Sequence, residues 1–217
     1  MSSVVDARGL DLKATSAAIK AALNGKPVTV RNASHLHGLC AGLRAGEVIV
    51  EGDVGDYVGV INAGGAVHIT GNAGKYVADN MTAGTVVVEG DAGYGVGGYC
   101  YGGTVVVKGN AGDFTAVMNK GAAIIVGGSA GDEVATYMLA GDLVILGNAG
   151  HSLANYLIRG NVFIAGEWKS LGHNTQVQEP TPGDVERIGA CLAGYGLEAD
   201  PAAFKKIIPL TDKPFYK

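Results

Sequence analysis

Charge is scarce in this chain. Asp, Glu, Lys and Arg together make up 17% of 217 residues and leave a net charge of -4. That excludes the basic footprint of a nucleic-acid-binding protein. Cysteine is scarcer still. Cys40, Cys100 and Cys191 are too far apart for a CxxC pair or a short-spaced iron-sulfur run, and their number is odd. Each is read as a small buried apolar residue in a reducing compartment. No run of about 18 apolar residues occurs, and Met1-Ser2-Ser3 leads into a polar stretch without the charged and apolar regions of a leader. The expectation is a cytoplasmic protein, neither secreted nor membrane-spanning. Paired Asn-Gly turns, the usual mark of β-hairpins, are missing too.

Glycine is the exception, with 36 residues and neither a Gly-X-Y period nor a proline-rich, disordered composition to account for them. They fall on a repeat. Gly52-Asp53-Val54-Gly55, Gly71-Asn72-Ala73-Gly74, Gly90-Asp91-Ala92-Gly93, Gly109-Asn110-Ala111-Gly112, Gly128-Ser129-Ala130-Gly131 and Gly147-Asn148-Ala149-Gly150 recur every ~19 residues without insertion, and Gly166 continues the series. A second column holds Gly46, Gly65, Gly84, Gly103, Gly141 and Gly160, with Ala122 as its one exception.

Between the two columns run β-branched and aliphatic triplets from Val48-Ile49-Val50 to Val162-Phe163-Ile164. Their first and third members are aliphatic throughout, as core-facing positions of a strand must be when alternate side chains point opposite ways. A further column, Gly59, Ala78, Gly97, Ala116, Ala135 and Ala154, never exceeds one methyl and is expected at a tight corner where stacked backbones approach. The Asp, Asn and Ser of the tetrads are expected to visit positive φ or to bond their own backbone.

Coils of constant length stacking strand on strand predict an all-β fold, a right-handed single-stranded parallel β-helix of about seven 19-residue coils, roughly 30 Å long. Covers are expected at its ends. Residues 1–27 form an N-terminal strand and helix cap, 28–167 the β-helix, and 168–217 a C-terminal extension with a helical cap. The first helix is expected to start at Thr15 or Ser16, to carry Ile19, Ala22 and Leu23, and to stop at Asn24-Gly25. The second starts at Thr181-Pro182-Gly183-Asp184 and carries Val185, Ile188 and Leu192. Asp200-Pro201 opens a short helical turn, and the chain ends in the basic-aromatic Lys213-Pro214-Phe215-Tyr216-Lys217.

The repeats, with Asp56-Tyr57-Val58-Gly59, Tyr94-Gly95-Val96-Gly97-Gly98, Met118-Asn119-Lys120-Gly121 and Tyr137-Met138, resemble the GxGxG domain of the glutamate synthase family. Lys169-Ser170-Leu171-Gly172 and Phe204-Lys205-Lys206-Ile207 resemble its stand-alone GxGxG subunits, such as the one in N-methylglutamate synthase. The resemblance implies a non-catalytic scaffold that binds no cofactor. It would be packed between a glutamine-amidotransferase-like subunit and a synthase subunit carrying FMN and an iron-sulfur cluster. Glutamate and methylamine or ammonia would be the substrates of the complex. The same coil pattern occurs in the C subunit of formylmethanofuran dehydrogenases and of formyltransferase/hydrolase complexes, which is the alternative parent.

No catalytic, cofactor or metal site is expected in the chain itself. Ser2 follows Met1 where the resemblance would require a nucleophilic cysteine for amidotransferase chemistry. His35 and His37 form a possible metal pair without a third ligand. His68 sits in the outward column of a strand, and neither His151 nor His173 has a carboxylate or serine at triad spacing. Gly93-Tyr94-Gly95-Val96-Gly97 lacks the helix that a dinucleotide fingerprint opens. Asp56, Asp113 and Asp132 share one register, the basis of a second alternative, a polysaccharide-acting β-helix enzyme. The predicted interface is the outward stripe Ile49, His68, Val87, Val106, Ile125, Val144 and Phe163, to be covered by a partner, a second copy or the chain's own terminal segments.

Overall fold

The computed structural model describes residues 3–213. Strands β1 (Ser3–Asp6), β2 (Val28–Arg31), β3 (Glu47–Glu51), β4 (Ala63–Ile69), β5 (Ala83–Val88), β6 (Thr104–Val107), β7 (Lys120–Val126), β8 (Ala140–Ile145) and β9 (Asn161–Ile164) follow one another in chain order. Each pairs in parallel with the next, forming the wall of a parallel β-helix. From β3 onward the partners are the residues one repeat apart, such as Val48 with Val67 and Val67 with Val86. The first and third triplet residues are 1% exposed or less in every coil and form the core.

The ends are closed differently. Helix α1 (Leu12–Ala22) is inserted in the first coil, between β1 and β2. It begins earlier than the sequence suggests, because Asp11 is the cap and its carboxylate accepts from Ala14 N at 2.7 Å. Thr15, expected as the cap, is buried inside the helix and donates to the Asp11 carbonyl. At the other end, coil stacking continues past residue 167 through the bridges Ala149 to Trp168 and Leu153 to Leu171. Strand β10 (Thr175–Gln178), helix α2 (Pro182–Gly194), a 3-10 turn at Pro201–Ala203 and strand β11 (Lys205–Pro209) follow. β11 lies antiparallel to both β9 and β10, covering the last open edge of the wall. Lys213 is the last described residue, so most of the basic-aromatic tail lies outside the described residues.

The Asp, Asn and Ser of the tetrads form a polar ladder and none of them takes positive φ. Asp53 Oδ1 accepts from Asn72 N at 2.7 Å, Asn72 Oδ1 from Asp91 N at 2.8 Å, and Asp91 Oδ1 from Asn110 N at 2.7 Å. Ser129 Oγ serves the same end, accepting from Asn148 N at 3.1 Å. Any short acceptor fits, which explains why Asp, Asn and Ser interchange here. The tetrad glycines stand where coils touch: a Cβ on Gly109 would lie 2.7 Å from Gly90 O, and one on Gly147 2.7 Å from Gly128 O.

The exception at Ala122 has a local cause. In most coils the second glycine column is left-handed, as at Gly84 (φ +93) and Gly103 (φ +85). In two coils the wall shifts register, between Ala63 and Ala66 and between Lys120 and Ala123. There the positive φ moves one residue earlier, to Gly64 (φ +142) and Gly121 (φ +154), which lets Ala122 carry its methyl, whereas a Cβ on Gly65 would collide with the Leu43 side chain. A buried asparagine holds each shifted turn. Asn119 Oδ1 accepts from Ala122 N at 2.9 Å while its Nδ2 donates to Ala122 O at 2.9 Å, and Asn62 does the same with Gly65.

Candidate interaction surface

The predicted outward stripe divides in two. Val106, Ile125 and Phe163 are 0% exposed and Val144 is 4% exposed, packed against Ile188 and Leu192 of α2 and against Phe204. This corrects the expectation of an interface at these four positions, because the chain's own C-terminal segment covers them. Several contacts hold that cover in place. Thr181 and Asp184 form a reciprocal capping box, and Asp184 also accepts from Lys206 Nζ of β11 at 2.9 Å. Arg187 bridges Asp184 and Asp142 at 2.9 Å each, with its guanidinium 5.7 Å from the Phe163 ring centroid. A cavity of about 120 Å³ remains under the helix, bordered by Ile125, Val144, Phe163 and Cys191.

The stripe's other half, Ile49, His68 and Val87, stays partly exposed beyond the helix C-terminus. There His68 Nε2 lies 2.6 Å from Glu89 Oε1, and Lys108 Nζ lies 2.9 Å from Glu89 Oε2. Burial works to raise the Glu89 carboxyl, but hydrogen bonds from Lys108 and His68 outweigh it and hold it below the usual range.

The column of small residues occupies an unexpected kind of corner. In each coil three alternate residues are left-handed: Tyr57, Gly59 and Ile61 (φ +62, +67 and +50), then Tyr76, Ala78 and Asn80, and so on to Ser152, Ala154 and Tyr156. Such a conformation costs a non-glycine residue about 1–2 kcal/mol. The alternation directs backbone donors up and down the stack in turn. Tyr57 N donates forward to Lys75 O at 2.7 Å, Gly59 N backward to Leu39 O at 2.9 Å, and Ile61 N forward to Asp79 O at 2.8 Å. The middle residue points inward, so its size is limited by core side chains rather than by stacked backbones. A Cβ on Gly59 would lie 2.9 Å from Val86 Cγ2, and one on Gly97 2.5 Å from Ile124 Cδ1.

The two outer residues of each trio point outward, and the neighbouring positions are largely aromatic. Of the eight described tyrosines, all but Tyr195 lie along this corner. Tyr57 stacks on Tyr76 at 4.8 Å and Tyr137 on Tyr156 at 5.6 Å, while Tyr94 packs against Phe114 at 5.1 Å. Tyr57, Ile61, Tyr99, Tyr101 and Tyr137 are exposed. Exposed stacked aromatics of this kind mark protein contact surfaces more than a scattered hydrophobe does. The sequence carried the signal in its tyrosines at one- and two-coil spacing, as in Tyr57 and Tyr76 or Tyr99, Tyr137 and Tyr156.

The remaining candidates are occupied in structural roles. Asp56 Oδ1, Asp113 Oδ1 and Asp132 Oδ1 accept from Lys75 N, Asp132 N and His151 N at 2.7 to 2.8 Å and form a second polar ladder. His37 Nδ1 accepts from Asp56 N at 3.0 Å, and His35 Nε2 lies 3.0 Å from Leu10 O. The His173 ring stacks on Tyr156 at 5.2 Å. No group of three or more His, Cys, Asp or Glu is arranged to hold a metal among the described residues. Cys40 and Cys100 are buried, which pushes both thiols up to about 12, and Cys191 is half-buried on α2. Among the described residues no helix is long and apolar enough to cross a membrane.

Comparison with known proteins agrees with this architecture. The sequence profile described as GXGXG motif matches residues 98–180. A chain of the formyltransferase/hydrolase complex from Methylorubrum extorquens, solved with methylofuran, is 30% identical, with a TM-score of 0.70 over 81% of this chain and 68% of that one. No curated protein matches the sequence.

Proposed function

Because this chain belongs to the GXGXG-motif family, we propose that it is a non-catalytic scaffold subunit of a hetero-oligomeric enzyme complex. The observation that carries the proposal is the 30% identity, over most of both chains, to a component of a multi-chain complex. The exposed aromatic corner supports it by supplying a surface suited to a protein partner. The reacting groups, and any FMN or iron-sulfur cluster, would belong to the partner subunits.

Two parent reactions fit. The solved neighbour favours a complex that transfers or hydrolyses a formyl group. The resemblance of Lys169-Ser170-Leu171-Gly172 and Phe204-Lys205-Lys206-Ile207 to stand-alone glutamate-synthase-type subunits favours N-methylglutamate synthase. This chain would then hold a glutamine-amidotransferase-like subunit against an FMN-binding one, acting on glutamate and methylamine or ammonia in the cytoplasm. Affinity purification of the chain from its native cells, with identification of stoichiometric partners and absorbance spectra, tests both. A flavoprotein and an amidotransferase would establish the glutamate parent, and a formyltransferase with a metal-dependent amidohydrolase the formyl parent. A chain that elutes alone and degrades polysaccharide unaided would overturn the scaffold reading.

A further inference from the structure

Lys120, the first residue of β7, sits in the middle of the aromatic corner. Its Nζ lies 4.2 Å from the Tyr101 ring centroid and 5.7 Å from that of Tyr99, and donates to the Tyr101 hydroxyl at 3.0 Å. Tyr101 is 57% exposed and Tyr99 39%. Among the other cations, Arg31, Lys108, Arg159, Arg187, Lys205 and Lys206 each meet a carboxylate, whereas Lys75 and Lys169 on the coils, like Lys120, meet none among the described residues; what sets Lys120 apart is its contact with two exposed rings. Among the described residues no carboxylate lies within 4.0 Å of Lys120 Nζ. Gly121 follows directly, where a Cβ would lie 2.7 Å from Tyr101 O, so the two coils meet closely beside the lysine. Met118 and Leu139 continue the apolar surface on either side.

A cation against two aromatic rings is partly desolvated, and a carboxylate arriving with apolar neighbours would complete its shell. Tyrosines around such a pair exclude water and hold large contact area at low entropic cost. We propose that Tyr99, Tyr101 and Lys120 form the docking point for a partner subunit. The partner's segment places an Asp or Glu carboxylate on Lys120 and lays apolar side chains along the flanking tyrosines. The proposal rests on the scaffold reading and deepens it, since the charge at Lys120 sets the register in which the partner sits.

Zero-length carbodiimide coupling on the purified native complex reads the contact directly. The reagent activates a carboxylate, the Lys120 amine displaces it as the urea, and an amide remains for peptide mass spectrometry. The expected result is an amide between Lys120 and an Asp or Glu of a partner subunit. Partner links through other lysines with none at Lys120, or a Lys120 link to a second copy of this chain, would overturn the proposal. In reassembly, Lys120→Glu and Tyr101→Ala should each weaken partner binding at least tenfold, whereas Lys13→Glu on the exposed side of α1 should not. Equal affinity for all three variants and the parent would also overturn it. If the wild-type chain purifies with no partner at all, the scaffold reading fails instead, so the two failures are distinguishable. The coupling result requires no variant to fold.

Discussion

The carboxylate of Asp184 accepts from Lys206 Nζ at 2.9 Å, joining the first turn of α2 to the antiparallel strand that closes the β-helix. Both side chains are largely withdrawn from solvent, at 4% and 12% exposure. This contact explains why the C-terminal segment folds back along the rod and is not left for a partner to order.

The contact sets a pH dependence. Burial alone would raise the Asp184 carboxyl, but hydrogen bonds from Lys206 and Thr181 outweigh it and bring the group from 3.8 down to about 2. A folded-state value below the unfolded one stabilises the fold above about pH 4, and the contribution is lost as pH falls through about 2. It is worth about 2 kcal/mol at neutral pH. Asp184→Asn should therefore melt below the parent at pH 7, with the gap narrowing below pH 4 and disappearing only below about pH 2. A gap independent of pH would show that charge plays no part.

Placing charges under the cover should release it. Val106 and Phe163 are fully buried against α2, so Val106→Asp with Phe163→Lys puts two ions into an apolar contact, at a cost of several kcal/mol. Amides of residues 182–194 should lose hydrogen-exchange protection while those of β3 to β5 keep theirs. Retained protection of α2 would place the helix elsewhere.

The inward residue of the left-handed trio tolerates little. At Gly97 the backbone is at φ +62 and a Cβ would press on Ile124 Cδ1. Gly97→Leu should cost about 3 kcal/mol or more, from overpacking together with backbone strain. Gly97→Ala should cost far less, since alanine occupies the equivalent place at Ala78 and Ala116 with φ +56 and +61. Melting temperatures of the two variants decide it, and equal values would refute the inward orientation.

Asn119→Leu removes the three hydrogen bonds that Asn119 makes to Gly121 and Ala122. Its position in the coil is held by Met138 and Leu157 in later coils, so leucine has an apolar precedent there. The loss should still cost about 1–3 kcal/mol, because the turn's buried backbone groups are left without partners. Unchanged stability to denaturant would mean that the register shift does not depend on this side chain.

Much of the molecule was determined by the sequence alone. A period of constant length, aliphatic first and third triplet positions and glycines where coils touch specify a parallel β-helix, since each feature is local and repeats. Thr181 to Asp184 announced α2 for the same reason. Three things were decided only in the tertiary structure. The stripe from Val106 to Phe163 and the apolar side of α2 were each legible, but their pairing joins residues far apart in the chain and depends on Asp184 meeting Lys206 and on Arg187 meeting Asp142. The left-handed trios run against local preference, because tyrosine, methionine and isoleucine seldom take positive φ. They are held by hydrogen bonds to the coils above and below, which exist only once the rod is stacked. The cation at Lys120 became notable only when the fold set it over Tyr101, one coil away, with no carboxylate beside it among the described residues.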